Sequence, residues 1–584
     1  MKKKVSIFMA AAMALSLSLT ACGGGGGNES VTPGGSTSTG GGESASVIDT
    51  VDNPITADHL DLGSDFDSAY YPVKNQIEQR NGKIDVVILF DGAEDGWRAL
   101  ADEYSRLHGG EVLVNLNTTY SSGNYTDALK YEITNSNTDW DIVQGNLATN
   151  LVDKYCINMY PYVNGRNAYA GNKVWNEVIE EDAYITDKSG TNTSTYIMNS
   201  ESLLTAWFVN TVALEAAGAK GYKNANGEVG NPVTWDDLIN LCKYMKEAGY
   251  ENPLGVSVNN EGINAYSFSW LLRIYGDYYF RNEYDGIMAA DKHFVYDPAD
   301  ENPEGSIEYG VDITWLFHKI LDDSSDKYIG PKSAKFKEFL GQIEKMSPYL
   351  NSTDATQLSM EDLRNQFQTQ NKGKSSPQIL LDYSGSGLAF LKNETDDYKI
   401  DFFDYPYMVS AGNFIPEGTV VRDVGGNGGY LSIINHGAKQ NALNVDFMKF
   451  VMSPYGQSVY YDALSKTNFA PKGLTLVRQN LVKVPDEWKN FFATDKIKFT
   501  GLVDSNEFIR NMVVSVGGQN VSETKVKLYQ GLLAGKGSDA VDINAFSTEW
   551  ASALYSGWVA YATNNNWNVN CYKYPGNGTS YGGE

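Results

Sequence analysis

The sequence predicts an α/β fold with two mostly parallel, sheet-centred lobes joined by a hinge. Strand and helix patterns alternate: a run of β-branched residues at 84–90 is followed by an amphipathic pattern at 97–107 and a second strand pattern at 112–116. A helix pattern at 125–133 and a strand at 141–143 continue the rhythm of a doubly wound sheet. The length of 584 residues is too great for one compact core, which predicts more than one lobe.

The chain begins with a pattern typical of an exported protein. Three lysines at positions 2–4 precede an apolar run at 5–19, which is too short to span a bilayer as a helix. Leu19-Thr20-Ala21-Cys22 resembles the bacterial lipobox, in which cleavage precedes a cysteine that is then lipidated. We therefore expect a signal peptide at 1–22 and attachment to the outer face of the cell membrane only through Cys22. An ordinary signal peptide that happens to contain a cysteine is the alternative.

The next segment, 23–82, is predicted to be a flexible tether and a lead-in to the body. Residues 23–46 are glycine, serine, threonine and other small polar residues with almost no large apolar side chain. Such a composition buries too little surface to offset the entropy of ordering the chain.

Composition excludes several kinds of partner. The formal net charge of −26 at pH 7 repels nucleic acid and anionic lipid headgroups, so neither is expected to bind. Cys156, Cys242 and Cys571 remain after Cys22, and without a CxxC pair they do not suggest structural zinc. We expect buried free thiols, although one disulfide remains open. The acidic loop 297–304 fails the EF-hand spacing, so we predict no metal site, although calcium binding at this loop stays open.

Four stretches resemble extracellular solute-binding proteins of ATP-binding-cassette (ABC) sugar importers, the maltose and multiple-sugar-binding class. They occur in the order found in that family. Within the third stretch, Thr234 is also a typical helix N-cap residue, with Asp237 three positions later. The sequence departs from the family in placing Trp140 where proline is usual. It also lacks the tryptophan that usually follows the strand ending at Leu381. The stretches are 138–146 with 159–163, 206–218, 232–249 and 446–471.

The resemblance implies a bilobal fold of the periplasmic-binding-protein type. Gly425 to Tyr430 look like the family's return crossing between lobes, and glycines there suit a hinge or a close backbone approach. The expected segments are an N-terminal lobe of 83–201 plus 425–466, a C-terminal lobe of 202–424 plus 467–563, and a loose extension at 564–584.

The resemblance also implies a function. We expect a monomeric, surface-anchored protein that binds a sugar or oligosaccharide without a cofactor, closes its cleft, and delivers the ligand to ABC permease subunits. A surface glycoside hydrolase and a sensory or adhesive glycan-binding lipoprotein are the alternatives.

The sequence matches the motifs of common enzyme classes poorly. Gly373-Lys374-Ser375 lacks the upstream glycine of a phosphate loop, Ser384 and Ser386 lack nucleophile-elbow spacing, and the histidines show no metal-binding pair. Because the chain has 72 acidic residues, chance carboxylate pairs keep the glycosidase alternative open. We expect no catalytic residues.

Candidate ligand contacts lie where strands end, because ligands of such sheets bind beyond the carboxyl ends of the strands. Aromatic faces pack on sugar C–H groups, and carboxylates and amides bond to hydroxyls. Asp91 alternatively caps the next helix, and Trp207 and Trp270 alternatively pack in the core. The candidates are Asp91, Glu94, Asn146, Trp207, Trp270, Asp382, Tyr383 and Asn427.

Overall fold

The computed structural model describes residues 82–573 apart from several gaps. Cys22, Asp91, Asn146, the loop 297–304, the predicted tether and the residues 565–566 and 574–584 of the predicted extension lie outside the described residues, so the structure does not bear on those predictions. The gaps are 89–92, 119–121, 135–137, 146, 148, 185–186, 190–191, 290–312, 351–357, 468–469, 472, 493–521, 536–537 and 565–566.

The chain forms two compact units. Unit 1 runs up to Ser202 and resumes at Asn427–Ala493, and unit 2 comprises Leu203–Gly426 and Thr494–Glu584. Residues 467–493 thus belong to unit 1, whereas the sequence analysis placed them in the second lobe. The reason is the short strand at Leu474–Thr475, which pairs with Met198–Ser202 of unit 1.

Fourteen strands are described, and both units contain a sheet. The strands are β1 (Lys83–Val87), β2 (Leu113–Asn117), β3 (Ile142–Gln144), β4 (Arg166–Asn167), β5 (Lys173–Val174), β6 (Asp187–Ser189), β7 (Asn192–Ser194), β8 (Met198–Ser202), β9 (Thr205–Asn210), β10 (Leu254–Gly255), β11 (Ile379–Tyr383), β12 (Ile400–Phe403), β13 (Asn427–Ile433) and β14 (Leu474–Thr475).

Helices surround these strands in both units, which confirms the predicted α/β class. The α-helices are α1 (Glu94–Leu107), α2 (Ser122–Thr134), α3 (Thr149–Tyr155), α4 (Tyr160–Val163), α5 (Thr211–Ala219), α6 (Trp235–Glu247), α7 (Asn260–Asn264), α8 (Ser267–Ala289), α9 (Ile313–Leu321), α10 (Ala334–Glu344), α11 (Met360–Thr369), α12 (Ser386–Lys392), α13 (Ala438–Val451), α14 (Pro454–Ser465), α15 (Asp486–Phe492), α16 (Ser522–Leu533) and α17 (Ile543–Asn564).

The sheet of unit 1 is mixed rather than mostly parallel. Its order is β14-β8-β13-β3-β1-β2, and β1 is parallel to both β2 and β3. β13 is antiparallel to both β3 and β8, and β8 is antiparallel to β14. Because β8 carries the chain out of the unit and its neighbour β13 brings it back, the two strands run in opposite directions.

The sheet of unit 2 is also mixed. Its order is β10-β11-β9-β12; β10 and β11 are parallel, and β9 is antiparallel to β11 and β12. Thr205 at the start of β9 is paired with Tyr383 at the end of β11. The carboxyl end of β11 therefore lies beside the start of β9, close to where the chain passes from unit 1 into unit 2.

A buried polar cluster joins α1 to α13 in the core of unit 1. The hydroxyls of Tyr104 and Tyr169 donate to Asp446 Oδ2 over 2.8 and 2.7 Å, and His108 Nε2 lies 3.1 Å from the Tyr169 hydroxyl. Burial raises the pKa of Asp446 to about 6 and lowers the pKa of His108 to about 3. These groups are enclosed in the core and therefore serve packing.

Two further predictions concern the described residues. Cys156, Cys242 and Cys571 are buried and form no disulfide, which agrees with the expected thiols. In the part of the chain that the structure describes, no helix has both the length and the apolar character required to cross a bilayer.

Candidate binding site

Unit 1 contains a pocket at one end of its sheet. Gln144 is the last residue of β3, Glu201 lies near the end of β8, and Thr475 ends β14; all three line the pocket. Its cavity volume is about 30 Å³, far below the ~300–1,000 Å³ of typical ligand sites, so these residues would form only part of a ligand site. The pocket thus lies where an open α/β sheet binds its ligands, beyond the carboxyl end of a strand.

Aromatic side chains form one wall of this pocket. Trp97 of α1 and Tyr460 and Tyr461 of α14 line it, and the two tyrosine rings lie edge to face with centroids 5.5 Å apart. A Cβ atom at Gly96 would lie 2.5 Å from the Tyr460 ring. The glycine therefore allows the ring to lie directly against α1, which fixes its position in the wall.

The polar wall is held by hydrogen bonds to the backbone. Gly473 N–H donates to Glu201 Oε2 over 3.2 Å, and Thr475 N–H donates to the Tyr461 hydroxyl over 2.9 Å. Ser200 Oγ, which also lines the pocket, donates to the carbonyl of Gly429 over 3.1 Å. These bonds fix polar groups before a ligand arrives, which lowers the entropic cost of binding.

Among the described lining residues, Glu201 is the only one with a formal charge. A glycosidase of the usual kind needs two carboxyl groups on opposite sides of the bond it cleaves. One carboxylate with amide, hydroxyl and aromatic groups suits the binding of a neutral, hydroxyl-rich molecule.

Unit 2 has an aromatic and charged cluster at the end of β11. The rings of Trp270 and Tyr383 lie 4.7 Å apart, and Tyr266 contacts Trp270 edge to face at 5.9 Å. Beside them, Arg364 Nε and Nη2 each donate to the Asp382 carboxylate over 2.7 Å. Tyr266 and Tyr383 are half-buried, whereas Trp270 is buried, so the two tyrosines carry the accessible aromatic surface.

Three of the predicted site residues, Trp270, Asp382 and Tyr383, meet in this cluster. Asp382 is 0% exposed and its carboxylate is engaged by Arg364, so the fold uses it for an internal ion pair. Trp207, in the next strand, is also 0% exposed and stacks on Phe403 with centroids 6.4 Å apart. Trp207 therefore packs in the core of unit 2, which is the alternative that the sequence analysis gave for it.

The remaining predicted residues belong to unit 1. Glu94 is the first residue of α1, directly after the pocket-lining Ala93, and is half-buried. The backbone of Asn427 begins β13, while its side chain lies outside the described set. Asp91 and Asn146 also fall outside it.

Sequence reasoning missed Glu201, Tyr460, Tyr461 and Thr475. Glu201 was predicted only as the last residue of a lobe segment. The two tyrosines lie on a helix whose apolar pattern predicts core residues rather than ligand contacts. Gln144 carried a usable signal, because it directly follows the predicted strand at 141–143. The described residues contain no group of three or more histidines, cysteines or acids that could hold a metal ion.

Comparisons with known proteins give only structural likenesses. No protein-family model and no curated protein sequence matches the chain. Solved structures similar to it include the solute-binding protein RafE in complex with raffinose (13% identity, 81% of this chain and 99% of that one, TM-score 0.46). A second is an ABC-transporter binding protein from Bifidobacterium animalis subsp. lactis in complex with mannotriose (13% identity, 83% of this chain and 97% of that one, TM-score 0.44). A third is maltose-bound MalE3 of T. maritima (13% identity, 81% of this chain and 98% of that one, TM-score 0.44). At this level of similarity, the function has to be inferred from this chain's own residues.

Proposed function

We propose that this chain is a carbohydrate-binding protein that holds a sugar or oligosaccharide unaltered and delivers it to an ABC importer. The observation that carries the proposal is the pocket of unit 1. It combines the half-buried ring of Tyr460, backed by the buried Trp97 and Tyr461, with polar groups fixed at the ends of strands. The ordered stretches that resemble sugar-binding proteins support the same class of ligand.

The chemistry of the pocket favours a neutral sugar. Pyranose rings present C–H patches that pack on aromatic faces, and their hydroxyls donate to carboxylates and to amide oxygens. Glu201 and Gln144 supply those acceptors. An anionic sugar would meet the Glu201 charge without a cationic lining residue, among those described, to offset it.

We propose that sugar binding favours a closed arrangement of the two units, as in the family that the chain resembles. Two of the links between the units support this. Ser202 pairs with Asn427 in unit 1, and Leu203 N–H donates to the Gly426 carbonyl over 2.7 Å in unit 2. Two adjacent strands of this kind are well suited to act as a hinge.

Three of the predicted residues extend this proposal. Glu94 follows the lining residue Ala93, Asp91 precedes it by two positions, and Asn146 follows the lining residue Gln144 by two positions. We propose these side chains as hydroxyl-bonding groups near the pocket. Asn427, which begins the strand β13, is proposed as a further contact.

A thermal-shift and calorimetric screen against mono- and oligosaccharides tests the proposal. A ligand that binds only the folded protein raises its melting temperature, and the rise grows with ligand concentration. A neutral sugar is expected to give this shift without the appearance of new reducing ends. A shift with amino acids or peptides alone would contradict the carbohydrate assignment, and turnover would favour the hydrolase.

Replacing Tyr460 with alanine is expected to weaken sugar binding by about 1–2 kcal/mol, roughly tenfold or more, because the aromatic wall is lost. Isothermal titration calorimetry with the sugar found in the screen measures the change. Tyr131→Ala is the matched control, since Tyr131 is 68% exposed on α2 and does not line the pocket. Equal affinities for the two variants would exclude this pocket as the sugar site.

Uptake is tested separately from binding. If the protein serves an importer, deletion of its gene is expected to abolish growth on the sugar that it binds. Normal uptake in the deletion strain, with binding intact in vitro, would instead favour the sensory or adhesive role.

A further inference from the structure

The cavity of the unit 1 pocket is small enough to limit what part of a sugar can enter it. Most of its lining residues are buried, whereas Ser200, Glu201 and Tyr460 are half-buried, so these three mark its mouth. The cavity measures about 30 Å³, and a cavity needs ~10–15 Å³ to hold one water molecule. It therefore holds about two non-hydrogen atoms, which excludes a sugar ring.

The lining of this cavity is amphipathic. Trp97 and Leu100 of α1 and Val451 at the end of α13 contribute apolar side chains. Gln144 and Glu201, near the ends of their strands, contribute an amide and a carboxylate. None of the lining residues that the structure describes carries a positive charge. The cavity thus suits a small neutral group that has both an apolar carbon and a hydroxyl.

The carboxylate of Glu201 can bond to a hydroxyl and keep its bond to the backbone. A carboxylate has about four acceptor positions. One of them receives Gly473 N–H over 3.2 Å, which fixes the carboxylate at the mouth of the cavity. A ligand hydroxyl can donate to the same carboxylate, and such charge-assisted hydrogen bonds are stronger than neutral ones.

The substituents of a sugar ring differ in size and charge, and one of them matches this cavity. A ring hydroxyl is a single oxygen and would leave the cavity partly empty, while an acetamido group is too large for it. A carboxylate group would meet the charge of Glu201. The hydroxymethyl group of a hexose, one carbon and one oxygen, has the size, the neutrality and the amphipathic character that the lining requires.

We propose that this cavity is the subsite for the exocyclic hydroxymethyl group of a hexose, so that the protein selects hexoses over pentoses, 6-deoxy sugars and uronic acids. The inference rests on the proposed function, which it narrows to a subclass of sugars. The ring of the sugar lies outside the mouth of the cavity, against the half-buried Tyr460.

The test compares affinities, by isothermal titration calorimetry, for sugars that differ only in this group. The pairs are glucose with xylose, galactose with L-arabinose and mannose with lyxose, used as free sugars or as matching oligosaccharides such as cellobiose with xylobiose. In the series that binds, the hexose is expected to bind roughly 10- to 100-fold more tightly, because the pentose lacks both the carbon and the hydroxyl. The 6-deoxy hexose, which keeps only the carbon, is expected to lie between them. Equal affinities within a pair would overturn the proposal.

Ala93→Leu tests whether the preference arises in this cavity. Ala93 lines the cavity and is 5% exposed, so a larger side chain at this position occupies the space of the hydroxymethyl group. The ratio of hexose to pentose affinity is expected to fall close to one in this variant and to stay at the wild-type value in the control Tyr131→Ala. A wild-type ratio in Ala93→Leu would place the preference elsewhere and refute the subsite.

Glu201→Gln keeps the proposal testable if Ala93→Leu does not fold. An amide oxygen can accept from Gly473 N–H as the carboxylate does, and the neutral side chain no longer repels an anion. The affinity for the uronic acid of the bound hexose, relative to the hexose itself, is expected to rise about tenfold. No rise would show that Glu201 does not face this group, which would contradict the proposal.

These measurements separate the subsite from the proposed function. If no sugar binds, the proposed function fails and the subsite fails with it. If sugars bind and the ratio of hexose to pentose affinity is close to one, the cavity holds only water and the subsite alone is refuted.

Discussion

Replacing Asp277 with alanine is expected to lower the free energy of unfolding of unit 2 by about 3–5 kcal/mol, because it removes the carboxylate that two largely buried guanidinium groups share. Asp277 on α8 is 0% exposed. Its carboxylate accepts from Arg281 Nη2 over 2.6 Å and from Arg422 Nη2 over 2.5 Å, and both Nε atoms lie 3.0 Å away. The arginine side chains are only 12% and 19% exposed, so water replaces the lost bonds poorly.

The Asp277 network connects distant parts of unit 2. Arg422 directly precedes Asp423, and Arg281 also donates to the Val420 carbonyl over 2.8 Å. The segment that leads back to unit 1 is therefore held to α8 by charge-assisted hydrogen bonds. We expect its amide protons to exchange faster with solvent in the Asp277→Ala protein.

Urea unfolding and hydrogen exchange measure these effects. Asp323→Ala is the matched control, because Asp323 pairs with Lys332 while both side chains are about half exposed, and such pairs contribute ~0–1 kcal/mol. Replacing all three partners with apolar residues, as in Asp277→Leu with Arg281→Met and Arg422→Met, is expected to recover part of the loss. A cost below ~1 kcal/mol for Asp277→Ala would show that solvent reaches the guanidinium groups.

Local structure was predictable wherever neighbouring residues determine it. Thr234 accepts from Asp237 N–H over 3.1 Å, and the Asp237 carboxylate accepts from Thr234 N–H over 2.9 Å, which completes the predicted capping box. Trp235, the first residue of this helix, is buried, and its indole N–H donates to the Gln342 carbonyl. These features depend on contacts within a few positions or on a helix period, both of which are visible in sequence.

The candidate site depends on contacts that are remote in sequence. Glu201 and Tyr460 line one pocket although they are far apart in the chain, and neither shows a local pattern of a ligand contact. Asp382 was expected to face a ligand because it follows a buried strand. The Asp382 carboxylate instead forms an ion pair with Arg364 on α11. Position in a strand predicts which edge a residue occupies, but a single sequence does not identify the tertiary partner at that edge.

Replacing Cys22 with serine is expected to transfer nearly all of the protein from the membrane pellet to the soluble exported fraction. The formal charge of −26 gives the chain no electrostatic affinity for anionic lipid, so a lipid on Cys22 would supply the attachment. Each buried CH₂ group contributes ~0.8 kcal/mol, and a single acyl chain gives only marginal binding. Stable attachment therefore requires at least two chains on the mature terminus.

Membrane fractionation, mass spectrometry of the mature terminus and metabolic labelling with a fatty-acid analogue measure the attachment. Cys156→Ser is the matched control: this thiol is 6% exposed in the core of unit 1, so the variant is expected to keep both the label and its place in the pellet. Retention of unlabelled Cys22→Ser protein in the pellet would show that another element holds the chain to the membrane. Cleavage at a bond other than Ala21–Cys22 in the wild type would contradict the lipobox.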